Sequence, residues 1–195
     1  MTNIEIIKIL DSICERSDYD WLEELASKNG LIFANGATKG VLIFSKEFFV
    51  LKWSFDDTFD ESMREVEVYE AAKVEGLEKI FPRTEFFYEN KFGISFVKQQ
   101  MVSSDCLSDN YDYCKTKRKS KHIKDSKAYD LVDDFFYTPD NDLWCIRAYH
   151  VYGKKFLRRF SDFTEEWLIN DLHEANIGYL KNRPVILDFS GYETR

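Results

Sequence analysis

Between about Asp60 and Val74 the chain reads as one helix, and that helix carries a carboxylate where an apolar residue belongs. Asp60 suits its cap, and Gly76 stands just beyond its end. At about 100° per residue, Val66, Val68, Tyr69 and Ala72 share one arc. Glu65 falls near the middle of that arc, whereas Glu67 and Glu70 face the other way. A carboxylate on a buried stripe is costly unless a cation meets it. The obvious partner is Lys52, in the β-rich run Val50-Leu-Lys-Trp53. Alone, Lys52 reads equally well as a solvated lysine on an edge strand. Taken with Glu65, it requires a fold that lays this helix across the strand carrying Lys52.

Strand-like runs surround the pair. Leu31-Ile-Phe-Ala34, Gly40-Val-Leu-Ile-Phe44 and Phe48-Phe-Val-Leu-Lys-Trp53 predict an antiparallel meander, broken at Asn35-Gly36 and at Ser45-Lys46-Glu47. Glu85-Phe-Phe-Tyr88 and Gly93-Ile-Ser-Phe-Val97 add two more strands. The expectation is an α+β fold built on a five-stranded antiparallel sheet with one helix against it. Two helices precede the sheet. Ile6, Ile7, Leu10, Ile13 and Cys14 form the stripe of the first. Ser17 or Asp18 caps the second, which carries Trp21, Leu22 and Leu25 and closes at Gly30. Both are expected to pack on the lobe that follows. After residue 102 the chain becomes polar and holds the basic run Lys115-Thr-Lys-Arg-Lys-Ser-Lys-His-Ile-Lys124, either a docking patch or a solvated face. Helices are expected over 127–137 and from Thr138-Pro139-Asp140 through Leu143, Ile146 and Tyr149. The expected division is 1–102, the sheet with its helices, and 103–195, a reduced and mainly helical lobe.

Near the end, Asp171-Leu-His-Glu-Ala-Asn176 leads into Ile177-Gly-Tyr-Leu180, Lys181-Asn-Arg-Pro184 and Val185-Ile-Leu-Asp188. Two short strands around a turn-forming run predict a hairpin. Pairing centred near Asn182 sets Asn176 opposite Asp188, bringing an amide oxygen and a carboxylate together. Hard oxygens in that number suit Mg²⁺, which keeps water and substrate phosphates as its other ligands. Asp171 adds a third acceptor. An Asp/Asn-rich turn beside an ordinary hairpin is the plainer alternative.

The order of these features resembles the protein-kinase-like fold. Lys52 resembles that family's phosphate-binding lysine on the third strand, and Arg64-Glu65-Val-Glu-Val-Tyr69 resembles the helix that pairs with it. Asn35-Gly-Ala-Thr-Lys-Gly40-Val41 resembles a shortened glycine-rich loop, which implies backbone contact with phosphates at Gly36 and Gly40; ordinary turn chemistry explains the same two glycines. Lys98-Gln-Gln-Met-Val102 falls where the family's hinge meets adenine, which implies Gln100 and Val102 as nucleotide-binding positions. Asp171 corresponds to the catalytic Asp, and Asn176 and Asp188 to the metal ligands. Departures from the family's pattern narrow the expectation. Ile169-Asn170 replaces the usual His-Arg pair, His173 stands where protein kinases carry a lysine, and Ser190 stands where a glycine is usual. Asp-Leu-His-x-x-Asn is closer to the loop of small-molecule and lipopolysaccharide kinases. The chain runs only four residues past Gly191, so no activation segment is expected.

Two functions follow from the resemblance. One is a minimal phosphotransferase using ATP and Mg²⁺, with Asp171 as general base and His173 adding charge at the phosphoryl group. The other is a silent kinase-like module that binds nucleotide or a protein partner. A homo-oligomer in which a second copy covers the reduced lobe fits either. Net charge of −8 argues against nucleic-acid and anionic-membrane binding. No apolar run is long enough to span a bilayer, and Met1-Thr-Asn-Ile-Glu is unlike a signal peptide. Cys14, Cys106, Cys114 and Cys145 show no paired spacing, which predicts reduced thiols in a cytoplasmic protein and no zinc site.

Overall fold

Alternation along the strands sends unlike residues to the two faces of one sheet. The computed structural model describes residues 1–14, 17–36, 38–55, 60–103, 142–169, 172 and 176–190. Its first five strands are β1 (Ile32–Asn35), β2 (Lys39–Phe44), β3 (Phe49–Ser54), β4 (Thr84–Glu89) and β5 (Ser95–Gln100). They form one antiparallel sheet in the order β1-β2-β3-β5-β4. The α+β class and the five-stranded antiparallel sheet are as the sequence pattern predicts.

One face of the sheet is apolar. Leu42, Phe44, Phe49, Leu51, Trp53 and Phe96 join Ile6, Ile9, Leu10, Ile13, Leu22 and Ala26 in a single buried cluster. The last six come from the helical segment ahead of the sheet, where α1 spans Asn3–Leu10 and α2 spans Tyr19–Lys28. Thr2 and Glu5 close α1 with reciprocal cap bonds, and Asp18 caps α2 through the Trp21 N–H at 2.8 Å. Ser17, the other cap candidate, accepts instead from the Cys14 N–H at 3.1 Å. Because α1 ends at Leu10, its buried stripe is Ile6, Ile9 and Leu10 followed by Ile13; Ile7 and Cys14 are only half-buried.

The β4–β5 turn fastens this segment to the sheet. The Asn90 side-chain amide donates to the carbonyls of Leu10 and Ile13 at 2.9 and 2.8 Å. Its oxygen accepts from the N–H groups of Phe92 and Ile94 at 3.0 and 3.1 Å. One buried side chain thus shapes its own turn and satisfies the frayed end of α1.

Across the sheet, α3 (Glu61–Val74) starts where Asp60 accepts from the Met63 N–H at 3.0 Å. It closes at Gly76, whose φ of 68° lets the Leu77 N–H return to the Ala72 carbonyl at 2.7 Å. The buried positions of α3 are Ser62, Glu65, Val68 and Ala72.

The chain divides into two compact units, Met1–Tyr69 with Arg83–Met101, and Glu70–Pro82 with Val102–Arg195. The second contains a short 3₁₀ turn at Glu78–Ile80, α4 (Asp142–Tyr152), α5 (Lys154–Glu166) and the hairpin β6 (Ile177–Leu180) and β7 (Arg183–Ile186). Phe81 anchors its core, with its ring 5.9 Å from Phe160, 6.2 Å from Phe163 and 4.5 Å from Phe189. The basic run 115–124, the helix expected over 127–137 and the start at Thr138-Pro139-Asp140 lie outside the described residues. Among the described residues no helix is long and apolar enough to cross a membrane.

Replacing Asn90 removes four hydrogen bonds at once and leaves carbonyls and N–H groups without partners. Asn90→Ala is expected to cost about 3 kcal/mol of unfolding free energy. Urea denaturation measures it, and a loss below about 1 kcal/mol would mean that the turn does not brace the helices.

Candidate functional site

A carboxylate with 0% exposure sits at the centre of the first unit's polar face. Lys52 Nζ lies 3.0 Å from Glu65 Oε2 and 3.2 Å from Oε1. This is the pair that the helical arc demanded. Two further donors reach the same carboxylate. Lys39 Nζ is 2.9 Å from Oε1, and Gln99 Nε2 is 2.9 Å from Oε2 and 3.2 Å from the Thr84 hydroxyl.

Strand register explains the convergence. Val41 pairs with Lys52, so Lys39, two residues along, shares the face of Lys52. Lys52 also pairs with Val97, which puts Gln99 on that face from the other side. Three adjacent strands each send one polar side chain to α3. Lys39 also lies 3.5 Å from Glu61, which accepts from the Thr38 hydroxyl at 2.7 Å. Among the described residues, two lysines thus meet two glutamates here. Sequence reasoning missed Lys39 and Gln99, because their signal is the register and no local pattern reveals it.

Both glycines have structural roles. Gly36 donates its N–H to the Lys39 carbonyl at 2.9 Å, closing a tight turn between β1 and β2. Gly40 lies within β2 opposite Trp53, and a Cβ there would fall 2.2 Å from the indole ring. Trp53 is what excludes a side chain at position 40. The Gln100 N–H, expected near adenine, donates to the Arg83 carbonyl at 2.8 Å. Val102 is half-buried beside Gly178, in the second unit.

In that unit the hairpin pairs Ile177 with Ile186 and Leu180 with Arg183, leaving Lys181 and Asn182 as a two-residue turn with Lys181 at φ 60°. The Asn176 carbonyl accepts from the Leu187 N–H at 2.8 Å. Asn176 thus faces Leu187, and Asp188 lies one residue beyond. The sequence reading centred the pairing on Asn182, whereas the shorter turn moves the centre half a residue back. Helix α4 fixes this hairpin through its backbone. Trp144 donates to the Gly178 carbonyl at 3.2 Å and Arg147 Nε to the Asn182 carbonyl at 2.6 Å. The Tyr152 hydroxyl lies against the carbonyls of Lys79, at 3.0 Å, and Pro184. Burial pushes the Tyr152 phenol well above its ordinary range, so it stays a neutral donor.

Asp188 is half-buried and accepts from the Ser190 hydroxyl at 3.3 Å. An Asn amide oxygen and an Asp carboxylate at the open end of a braced hairpin are a donor set that fits a small, hard divalent cation. Among the described residues no cluster of three or more His, Cys, Asp or Glu side chains forms. Asp171 and His173 lie outside the described residues. The helix ahead of them, α5, ends at Glu166, and Leu168 two residues beyond takes φ 53°, a conformation that costs a bulky side chain strain.

Comparison with protein-family models, with curated proteins and with solved structures gives no match. The chemistry of the site therefore rests on its geometry.

Removing one member of a buried ionic cluster leaves its partners uncompensated. Glu65→Ala, which strands two lysines, is expected to cost about 3–5 kcal/mol, more than Lys39→Met or Lys52→Met. Equal losses for all three in urea denaturation would show that Glu65 is not the hub.

Proposed function

We propose that this protein is a kinase-like nucleotide-binding protein that acts as a phosphotransferase on Mg-ATP. One observation carries the reading: a lysine on the third strand of an antiparallel sheet is ion-paired with a glutamate on the helix that follows. In kinase-like folds such a pair holds the lysine where it grips nucleotide phosphates. Lys52 takes that role here. Gly36, Gly40, Gln100 and Val102 are assigned the surrounding nucleotide contacts, as the resemblance implies.

Asn176 and Asp188 are assigned to hold Mg²⁺, which on binding offsets the charge of the phosphates. Asp171 is assigned to orient the acceptor hydroxyl and take its proton, and His173 to place charge near the transferred group. What these residues supply is position and electrostatics, the chief requirements of phosphoryl transfer.

A second reading has its own support. The N–H of Gly36 is already spent on Lys39, and Gly40 faces Trp53. A turn so closed offers phosphates fewer backbone donors than a working glycine loop, which favours a module that binds nucleotide, or a protein partner, without transfer.

Thermal unfolding with Mg-ATP tests the reading. A hundredfold excess over Kd adds about 2.7 kcal/mol, so the wild type is expected to melt several degrees higher. That shift should vanish in Lys52→Ala and shrink in Asp188→Ala and on chelation of the metal. A wild type indifferent to Mg-ATP would sink the proposal. ATP turnover that disappears in Asp171→Ala favours the enzyme; binding without turnover favours the silent module.

A further inference from the structure

We propose that Lys39 is a positioning residue for nucleotide binding, keeping the buried Glu65 carboxylate neutralised while Lys52 turns towards the phosphates. The inference rests on the nucleotide-binding reading of Lys52 and extends it to a residue that the resemblance does not assign.

Glu65 has two ammonium groups within 3.0 Å, while Glu61, the second carboxylate of the cluster, lies farther from Lys39, at 3.5 Å, and has the Thr38 hydroxyl as well. Lysines are seldom buried, and here Lys39 and Lys52 are 4% and 7% exposed. Lys52 makes two bonds to Glu65, at 3.0 and 3.2 Å, and reaching a phosphate loosens at least one of them. Were Lys52 the sole cation, its departure would leave a buried charge uncompensated, at a cost that opposes binding. Lys39 removes that opposition. It stays on Oε1 at 2.9 Å while Gln99 stays on Oε2, and neither needs to move.

The surroundings fit a fixed post for Lys39. Glu61, on α3 itself, faces it at 3.5 Å and is tied in turn by Thr38. From the sheet, β2 and β3 present the two lysines to Glu65, while β5 and β4 present the neutral Gln99 and Thr84. The same contacts pin the β1–β2 turn to α3, so the turn and the phosphate-binding lysine are positioned by one carboxylate.

The test is calorimetric titration of the full chain with ATP and Mg²⁺. Lys52→Met should lose binding. Lys39→Met should weaken it on the order of tenfold, a usual size for coupling between groups. Lys39→Arg, which keeps the charge, should stay within about threefold of wild type. The decisive comparison is made in the Glu65→Gln background, where position 65 carries no charge to be kept neutral and only the longer pair of Lys39 with Glu61 remains. There, adding Lys39→Met should change affinity by less than about twofold. That pair leaves no carboxylate unpaired at position 65, so it remains informative even if the single Lys39→Met does not fold. The inference is overturned if Lys39→Met binds like wild type, or if its loss persists undiminished in the Glu65→Gln background. In both cases Lys52→Met still loses binding and the reading of Lys52 stands. A wild type that binds no Mg-ATP, or a Lys52→Met that binds as wild type, brings down the reading and the inference with it.

Discussion

The Glu65 carboxylate, shut off from water, draws side chains from β2, β3 and β5 to one point on α3. Such a cluster adds little net stability, because apolar residues of the same volume would fill the space at no desolvation cost. Its contribution is to geometry. Sliding α3 by one residue would carry Glu65 about 100° around the helix and take its carboxylate away from both lysines. Slipping β2 against β3 by one residue would turn Lys39 or Lys52 to the apolar face. The position of the helix and the register of the sheet are thus set by a single charge.

What permits this cost is the other side of the sheet. Each fully buried Leu, Ile or Phe contributes about 1.5–3 kcal/mol, and the cluster beneath α1 and α2 contains twelve buried residues. Segregating apolar burial to that face leaves the polar face free to keep charges that would weaken a smaller core. Asn90 belongs to this division. By satisfying the carbonyls of Leu10, the last residue of α1, and of Ile13 beyond it, it lets Ile13 remain in the core after the helix has stopped.

How much of this was legible in the sequence depended on whether the signal was local. Glu65 could be read because an amphipathic helix announces its buried face, and an acid on that face points to a cation. Asp60 and Gly76 could be read because caps act within one turn. Lys39 could not, since a lysine beginning a strand looks solvated until pairing with β3 shows which way it points. Gly40 was ambiguous for the same reason: its constraint is Trp53, thirteen residues away in sequence and directly opposite in the sheet. The hairpin at 177–186 was foreseen, but its centre was not. Lys181 adopts a positive φ that sequence rules reserve for glycine or asparagine, so the two-residue turn had no visible marker.

That shift of register bears on the second unit. Asn176 closes the ladder through its carbonyl, so Asp188 falls one residue past the last backbone bond. Strand pairing then sets the direction of the first residue but not the second, whose carboxylate accepts from the Ser190 hydroxyl at 3.3 Å. A glycine at 190, as the resemblance would expect, could not do this. Where the ladder stops short of Asp188, a hydroxyl two residues on meets its carboxylate. Trp144, Arg147 and Tyr152 brace the same hairpin, all through its backbone.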